Sequence, residues 1–226
     1  MHSLHRLLLL SLTLLASQAC SDKLKLNGDD APEVDEFENG TRSGKFTSLE
    51  DKDGSMLTRV DATSEDAWVQ FDLDTGKSVS GDEDWDLAFL RSFIKTDGGA
   101  SGSGNVYVAQ LKEESFESVT RAPNEGFQAD QPDGEEDTDS NPDNVFNSGP
   151  EDWYDYNVMN HTLAPRDITY VIASSAGDFF KFRIESYYDP AGTSGVWKVR
   201  WQQVDPPEAG FPPPGAEGDT AEAESP

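Results

Sequence analysis

Residues 81–104, GDEDWDLAFLRSFIKTDGGASGSG, combine clustered carboxylates with a glycine-rich loop, as some phosphate-binding and catalytic sites do. A phosphate-binding loop would place Gly-Lys-Ser or Gly-Lys-Thr before a helix, and neither feature follows here. A nucleophile elbow would need Gly-x-Ser-x-Gly, which these glycines do not form. The period-2 alternation of apolar side chains predicts instead one strand, WDLAFLRSFI, and a flexible connection to the next strand, NVYVAQL.

Histidine is too scarce for the common catalytic and zinc sites. The chain has 3 histidines and 1 cysteine, and His2 and His5 belong to a predicted leader. His161 is therefore the one histidine of the mature chain, and no serine context supports a Ser-His-Asp triad. Zinc sites built on several histidines or cysteines are excluded by count. Paired carboxylates for glycoside hydrolysis stay possible, but no pair is singled out, and we expect no enzyme.

The acidic run at residues 130–144, DQPDGEEDTDSNPDN, has two interpretations. Calcium takes oxygen ligands of this kind, and an exported protein meets calcium at high concentration. No register of the run matches the calcium loop of an EF-hand, and its prolines favour a solvated acidic loop.

Charge narrows the class of partner. The chain carries 44 Asp and Glu against 17 Lys and Arg, a formal net charge of -27. So acidic a protein repels phosphate backbones, and we therefore expect no nucleic-acid partner.

The N-terminus predicts export. A short basic start, an apolar run at residues 7–16 and small residues up to Cys20 form a signal peptide over residues 1–19. Cys20 is the only cysteine, and its place just after the predicted cleavage point indicates a lipidated N-terminal cysteine, as in bacterial lipoproteins. Ordinary signal cleavage after Ala19 is the alternative, because Ser17 and Ala19 are also small. With a lipid anchor, we expect the outer membrane or cell surface as the location.

Composition divides the mature chain into three parts. Residues 20–44 are polar and turn-rich, and are predicted to be a flexible tether. Residues 206–226 are rich in Pro, Glu, Ala and Gly, and are predicted to be a disordered tail. Residues 45–205 remain as one folded domain, which must hold without a disulfide because the chain has a single cysteine.

The domain is predicted to be all-β. Polar and apolar side chains alternate in the stretches AWVQFDLDTGKSV, DFFKFRIESYY and SGVWKVRW, while DITYVIASS is short and β-branched. Such strands, joined by Gly and Asp turns, favour antiparallel sheets packed as a sandwich or curled.

Several phrases give the chain a resemblance to a known family. In order along residues 67–201 it reads WVQFDLDTGK, DWDLAFLRSFIKTDGGASGSG, WYDYNVMNHTLAPRDITYVI and FFKFRIESYYDPAGTSGVWKVRW. In these phrases and in its leader the chain resembles the HmuY family of bacterial lipoproteins. The resemblance implies an all-β fold and the capture of haem (heme) for iron acquisition, with delivery to an outer-membrane uptake receptor.

Characterised members of that family hold haem iron between two axial side chains, either a His/His pair or a pair that contains Met. The resemblance therefore implies that Met56, Met159 and His161 are the candidate haem ligands of this chain. A His/His pair is impossible with one mature histidine. Met159 and His161 lie two residues apart, so in a strand both would point to the same face.

Each of these residues also has a structural interpretation. His161 could be hydrogen-bonded within a turn, and Met56 and Met159 could be core residues. Two functions therefore stay open. The first is a lipid-anchored haem or porphyrin carrier, and the alternative is a non-haem-binding outer-membrane lipoprotein whose β domain binds a protein or polymer partner. Convergence of Met56, Met159 and His161 on one cleft would favour the carrier.

Overall fold

The computed structural model describes residues 35–133, 142–147 and 153–211. This part of the chain forms thirteen β-strands and no helix, which confirms the predicted all-β, antiparallel fold class. The strands are β1 (Thr41–Ser43), β2 (Phe46–Glu50), β3 (Met56–Asp61), β4 (Val69–Asp72), β5 (Lys77–Val79), β6 (Leu87–Leu90), β7 (Phe93–Thr96), β8 (Tyr107–Leu111), β9 (Tyr154–Asn157), β10 (Thr162–Pro165), β11 (Thr169–Ala173), β12 (Phe179–Tyr188) and β13 (Ser194–Val204).

Two sheets and one hairpin organise these strands. The large sheet has the order β1-β2-β3-β13-β12-β11-β8, and the small sheet has the order β5-β4-β6-β7. Strands β9 and β10 pair only with each other. All the named strand pairs are antiparallel.

The core lies between the two sheets, as the sandwich interpretation predicts. Phe46 of the large sheet stacks on Phe71 of the small sheet with ring centroids 4.6 Å apart. Phe89 of the small sheet meets Trp197 of the large sheet edge to face at 5.6 Å. Burial of each such aromatic side chain contributes roughly 1.5–3 kcal/mol, so these contacts hold the two sheets together.

The alternation read from the sequence sets this packing. Trp197, Val199 and Trp201 of β13 are buried, while the residues between them are partly exposed. On β12, Lys181 departs from the polar-out pattern, since it is buried with its ammonium 4.4 Å from the centre of the Phe116 ring. A cation over an aromatic face explains how that charge is accommodated.

The predicted strand WDLAFLRSFI is wrong as one element, because it folds back as the β6–β7 hairpin. Leu90 pairs with Phe93, and Arg91 adopts a positive φ of 51° in the two-residue turn. Tertiary contacts fix that turn: the indole N–H of Trp197 donates to the Arg91 carbonyl and that of Trp153 donates to the Ser92 carbonyl, both at 2.9 Å.

The glycine loop that follows is packed rather than loose. A Cβ on Gly98 would collide with the Val106 backbone, and one on Gly99 would collide with the Asp130 backbone. Asp130, the first residue of the acidic run, is buried and accepts hydrogen bonds from the Thr96 and Ser101 hydroxyls at 2.8 and 2.7 Å. Asp130 therefore braces this loop, while residues 134–141 of the run lie outside the described part of the chain.

Ordered structure extends beyond both predicted domain boundaries. Strand β1 lies within the segment predicted to be a tether, and Phe37 before it is buried. Phe211, from the predicted tail, packs on Tyr107, Phe127 and Phe179 with ring centroids 4.8–5.8 Å away. The predicted leader and Cys20 lie outside the described residues. No helix in the described ranges is long and apolar enough to traverse a bilayer.

Candidate functional site

The β9–β10 hairpin carries two of the three predicted haem ligands in its turn. His161 N–H donates to the Asn157 carbonyl at 2.8 Å and closes the turn. The Asn157 side chain accepts from the Met159 N–H at 2.9 Å, and the Asn160 side chain accepts from the Thr162 hydroxyl at 2.7 Å. Asparagine side chains favour such turns because they hydrogen-bond the backbone two residues on.

Met159 and His161 therefore lie in a turn and not in a strand, so the argument that a strand would point both to one face does not apply to them. His161 has a positive φ of 58°, which reverses the chain at that residue. Short polar side chains tolerate this conformation, and histidine is among the residues enriched there. The structure brings Met159 and His161 together at the tip of one hairpin.

The tip exposes side chains that a soluble protein usually buries. Within the described residues, the large hydrophobic side chains that are exposed are Tyr156, Val158 and Met159, at 51%, 69% and 88%. His161 is exposed beside them. A cluster of exposed apolar side chains marks a surface that binds something apolar.

The Tyr156 hydroxyl and the Nδ1 atom of His161 form a hydrogen bond across the hairpin. Within the described part of the chain, no partner is found for the other ring nitrogen, Nε2. A hydrogen bond on one ring nitrogen fixes the orientation of a histidine that ligates metal through the other. The hairpin therefore presents an oriented imidazole beside a thioether.

The base of the hairpin is rigidly held on the large sheet. Trp153, which precedes β9, is 1% exposed and packs on Trp197 at 4.6 Å between ring centroids. The Leu163 N–H donates to the Tyr188 hydroxyl at 3.1 Å, and Arg166 pairs with Asp155 at 2.8 Å. These contacts fix where the exposed tip projects.

Met56 lies elsewhere. It is partly buried in β3 and packs against the core, opposite Trp201 in the β13 register. The hairpin is anchored near Tyr188 of β12. Tyr188 pairs with Ser194 of β13, the strand that also contains Trp201. Trp201 is seven positions after Ser194, which corresponds to about 23 Å of strand. The structure therefore does not bring Met56 to Met159 and His161, and the convergence of all three on one cleft, which would have favoured the carrier, is not found.

Three carboxylates that the sequence did not single out lie close together beside the small sheet. Oxygens of Asp72, Asp74 and Asp86 lie within 4.8 Å of one another. Asp86 is fully buried and accepts from the Ser175 N–H at 2.8 Å, while Asp74 accepts from the Ser174 hydroxyl at 2.9 Å. These bonds tie the small sheet to the β11–β12 turn of the large sheet.

Two carboxyl groups of this cluster have a raised pKa. Burial, with smaller contributions from Asp86, Asp72 and Asp178, raises the pKa of Asp74 to about 6. Burial also raises the pKa of Asp86, against the hydrogen bonds that it accepts. One oxygen of Asp74, Oδ2, is buried without a hydrogen-bond partner among the described residues. Spacing along the sequence gives no signal for this cluster, because Asp86 and the turn serines are brought together by the fold.

The described residues define an all-β sandwich protein from which the β9–β10 hairpin projects exposed apolar side chains. The family model for HmuY protein matches residues 64–201, and the chain therefore belongs to the HmuY family. No curated protein matches the chain significantly.

Solved structures show the same fold. A candidate lipoprotein of Bacteroides fragilis is 20% identical, with a TM-score of 0.51, covering 68% of this chain and 91% of its own. An apo HmuY analogue of Tannerella forsythia is 14% identical, with a TM-score of 0.52, covering 73% of this chain and 99% of its own. Apo PinO, assigned to Porphyromonas gingivitis, is 16% identical, with a TM-score of 0.50, covering 67% of this chain and 97% of its own.

Proposed function

We propose that this protein is an exported, lipid-anchored haem-binding protein that takes up haem at the tip of the β9–β10 hairpin. The observation that carries the proposal is the exposed tip itself, where Met159 and His161 stand beside Tyr156 and Val158. Membership of the HmuY family supports haem as the ligand.

His161 is the stronger candidate for an axial ligand. In the tautomer whose Nδ1–H donates to the Tyr156 hydroxyl oxygen, Nε2 carries no proton and is the atom that would meet the iron. Met159 supplies a thioether from the same turn, and Val158 adds apolar surface for the porphyrin. When bound, haem would supply the iron centre. The protein would orient the imidazole and contact an apolar face of the porphyrin. Cys20 would carry the lipid, and an outer-membrane uptake receptor would take the haem.

A site on an exposed hairpin suits binding followed by release. The ligand side chains project from the sandwich, so haem can reach them without any opening of the core. The protein would then act as a carrier in iron acquisition.

The test is a titration of haemin into the chain from residue 21 to residue 226, followed by absorbance in the Soret region. We expect a saturable, shifted band at one equivalent, which His161→Ala abolishes and Met159→Leu weakens or shifts. Met56→Leu is the matched control, since it removes the other thioether of the mature chain while keeping its size.

The outcomes separate the alternatives. A band that Met56→Leu abolishes and the hairpin variants leave intact would overturn the proposed site. A trace that equals that of free haemin would overturn haem binding and leave a lipoprotein whose β domain binds a protein or polymer.

A further inference from the structure

A concave site lies between the two sheets, away from the hairpin. Its volume is about 760 Å³, and we call it the Met56 cleft after one residue of its lining. It lies between β1 of the large sheet and the β4–β5 turn of the small sheet, where the Ser78 N–H donates to the Ser43 hydroxyl at 3.1 Å. Small-molecule sites in proteins have volumes of about 300–1,000 Å³.

The floor of the Met56 cleft is apolar and rigid. Trp201, 7% exposed, meets Phe180 edge to face at 5.8 Å, and its indole N–H donates to the Thr58 hydroxyl at 2.9 Å. Gly76 lies at the edge of the tryptophan ring, where a Cβ would come within 3.5 Å of it. A side chain at position 76 would therefore contact the indole ring, only a small part of which reaches the cleft, and Met56 also lines the cleft.

Two cations stand on the rim. Arg42 and Lys77 line the Met56 cleft, and neither forms an ion pair with any of the described residues. Asp72 faces Lys77 in the strand register, but its carboxylate accepts from the Thr75 N–H and hydroxyl at 3.1 and 2.6 Å.

Both side chains carry the minority charge of the chain, which has 44 acidic against 17 basic residues. The acidic side chains in the lining are Asp178, which is exposed, and Asp74, which is bound to Ser174. An anion on the rim would give both cations a charged partner, and charged hydrogen bonds of this kind are stronger than neutral ones.

We propose that the Met56 cleft binds a small organic acid with an aromatic body, which packs on Trp201 and Phe180 while its carboxylate meets Arg42 and Lys77. The part of this floor that reaches the cleft contributes apolar contact, and the two cations select the acid over a neutral analogue. This site is separate from the haem site, since Met56 and the hairpin lie at opposite ends of β13.

The experiment is calorimetric titration of 2-naphthoate into the chain from residue 21 to residue 226, with 2-naphthalenemethanol as the neutral analogue. We expect saturable binding of the acid at one equivalent and binding of the alcohol that is about tenfold weaker. The double variant Arg42→Gln/Lys77→Gln should lower the affinity for the acid about tenfold and leave that for the alcohol unchanged.

Three further variants test where naphthoate binds. Lys45→Gln/Lys52→Gln removes the same charge outside the cleft and should bind the acid like the parent chain. Thr41→Trp should fill the mouth and abolish binding of both compounds, while His161→Ala should bind naphthoate normally. Absence of naphthoate binding at millimolar concentration, or binding that the rim and mouth variants leave unchanged, would overturn the proposal. Loss of naphthoate binding in His161→Ala would also overturn it, because the compound would then occupy the hairpin.

Discussion

Tyr156→Phe removes one oxygen atom from the proposed haem site and tests whether His161 is oriented for iron. The lost hydroxyl is the partner of His161 Nδ1. The ring of Tyr156 stays in place opposite Leu163, and the backbone bond from His161 to Asn157 still closes the turn. We therefore expect the free energy of unfolding to change by less than about 0.5 kcal/mol, as for most surface substitutions.

The effect on haem should be larger than the effect on stability. Loss of a hydrogen bond that orients a ligating histidine typically costs 10–100-fold in affinity for the metal. Because Tyr156 is 51% exposed, water can replace part of this hydrogen bond, and we expect a loss near the lower end, about tenfold. The assay is the same Soret titration, with the dissociation constant and the position of the band as readouts.

The matched control is Tyr107→Phe, which removes a hydroxyl from a tyrosine that packs on Phe211, away from the hairpin. It should bind haemin like the parent chain. If Tyr156→Phe binds haemin with unchanged affinity and spectrum while His161→Ala does not bind, orientation by the tyrosine is refuted. If His161→Ala binds normally as well, the hairpin is not the haem site.

Three further substitutions test the carboxylate cluster, the anchor of the hairpin and the lipid attachment. Asp74→Asn should raise the free energy of unfolding at pH 7 and change it little near pH 4, because the folded-state pKa of about 6 exceeds the ordinary value of 3.8. The folded state therefore binds the proton more tightly than the unfolded state does. As pH rises from about 4 to about 6, the buried carboxyl group becomes charged and the free energy of unfolding of the parent chain falls. Trp153→Ala should lower the free energy of unfolding by about 3–5 kcal/mol in urea denaturation, since it empties a buried site and removes the bond to Ser92. Cys20→Ala should abolish lipid attachment, as measured by the mass of the protein extracted from membranes.

Each of these has its own control. Asp66→Asn, at an exposed position, should show no pH-dependent gain in the free energy of unfolding. An equal gain there would mean that the effect of Asp74→Asn comes from net charge. A loss below about 1 kcal/mol for Trp153→Ala would mean that the hairpin is not anchored by packing on Trp197. An unmodified N-terminal cysteine in the parent chain would refute lipidation.

Local patterns in the sequence predict the strands β4, β8, β11, β12 and β13 of the sandwich, but not β1, β2 or β3. Alternation on β13 identifies Trp197, Val199 and Trp201 as inward residues, and the structure buries all three. The Asp-Thr-Gly signal marks the turn between β4 and β5. These features depend on neighbours a few residues apart, and side-chain period and turn chemistry act at that range.

The places where prediction failed depend on distant residues. The β6–β7 turn lacks a local glycine or asparagine signal, and two indole N–H groups from Trp153 and Trp197 stabilise it. Phe211 is ordered because it finds an aromatic partner in Phe179, which polar composition around it does not reveal.

The sequence by itself determined the all-β class, through the local alternation of side chains, and the family, through the phrases that it shares with HmuY proteins. The set of candidate iron ligands is what that resemblance implies. Only the tertiary structure decided which of these candidate side chains lie together. It places His161 and Met159 at one hairpin tip and Met56 in a cleft at the other end of the sheet. It also places Arg42 and Lys77, 35 residues apart in the chain, in the lining of the same cleft. The physical reason is that strand register and sheet packing, which bring distant segments together, depend on the whole core.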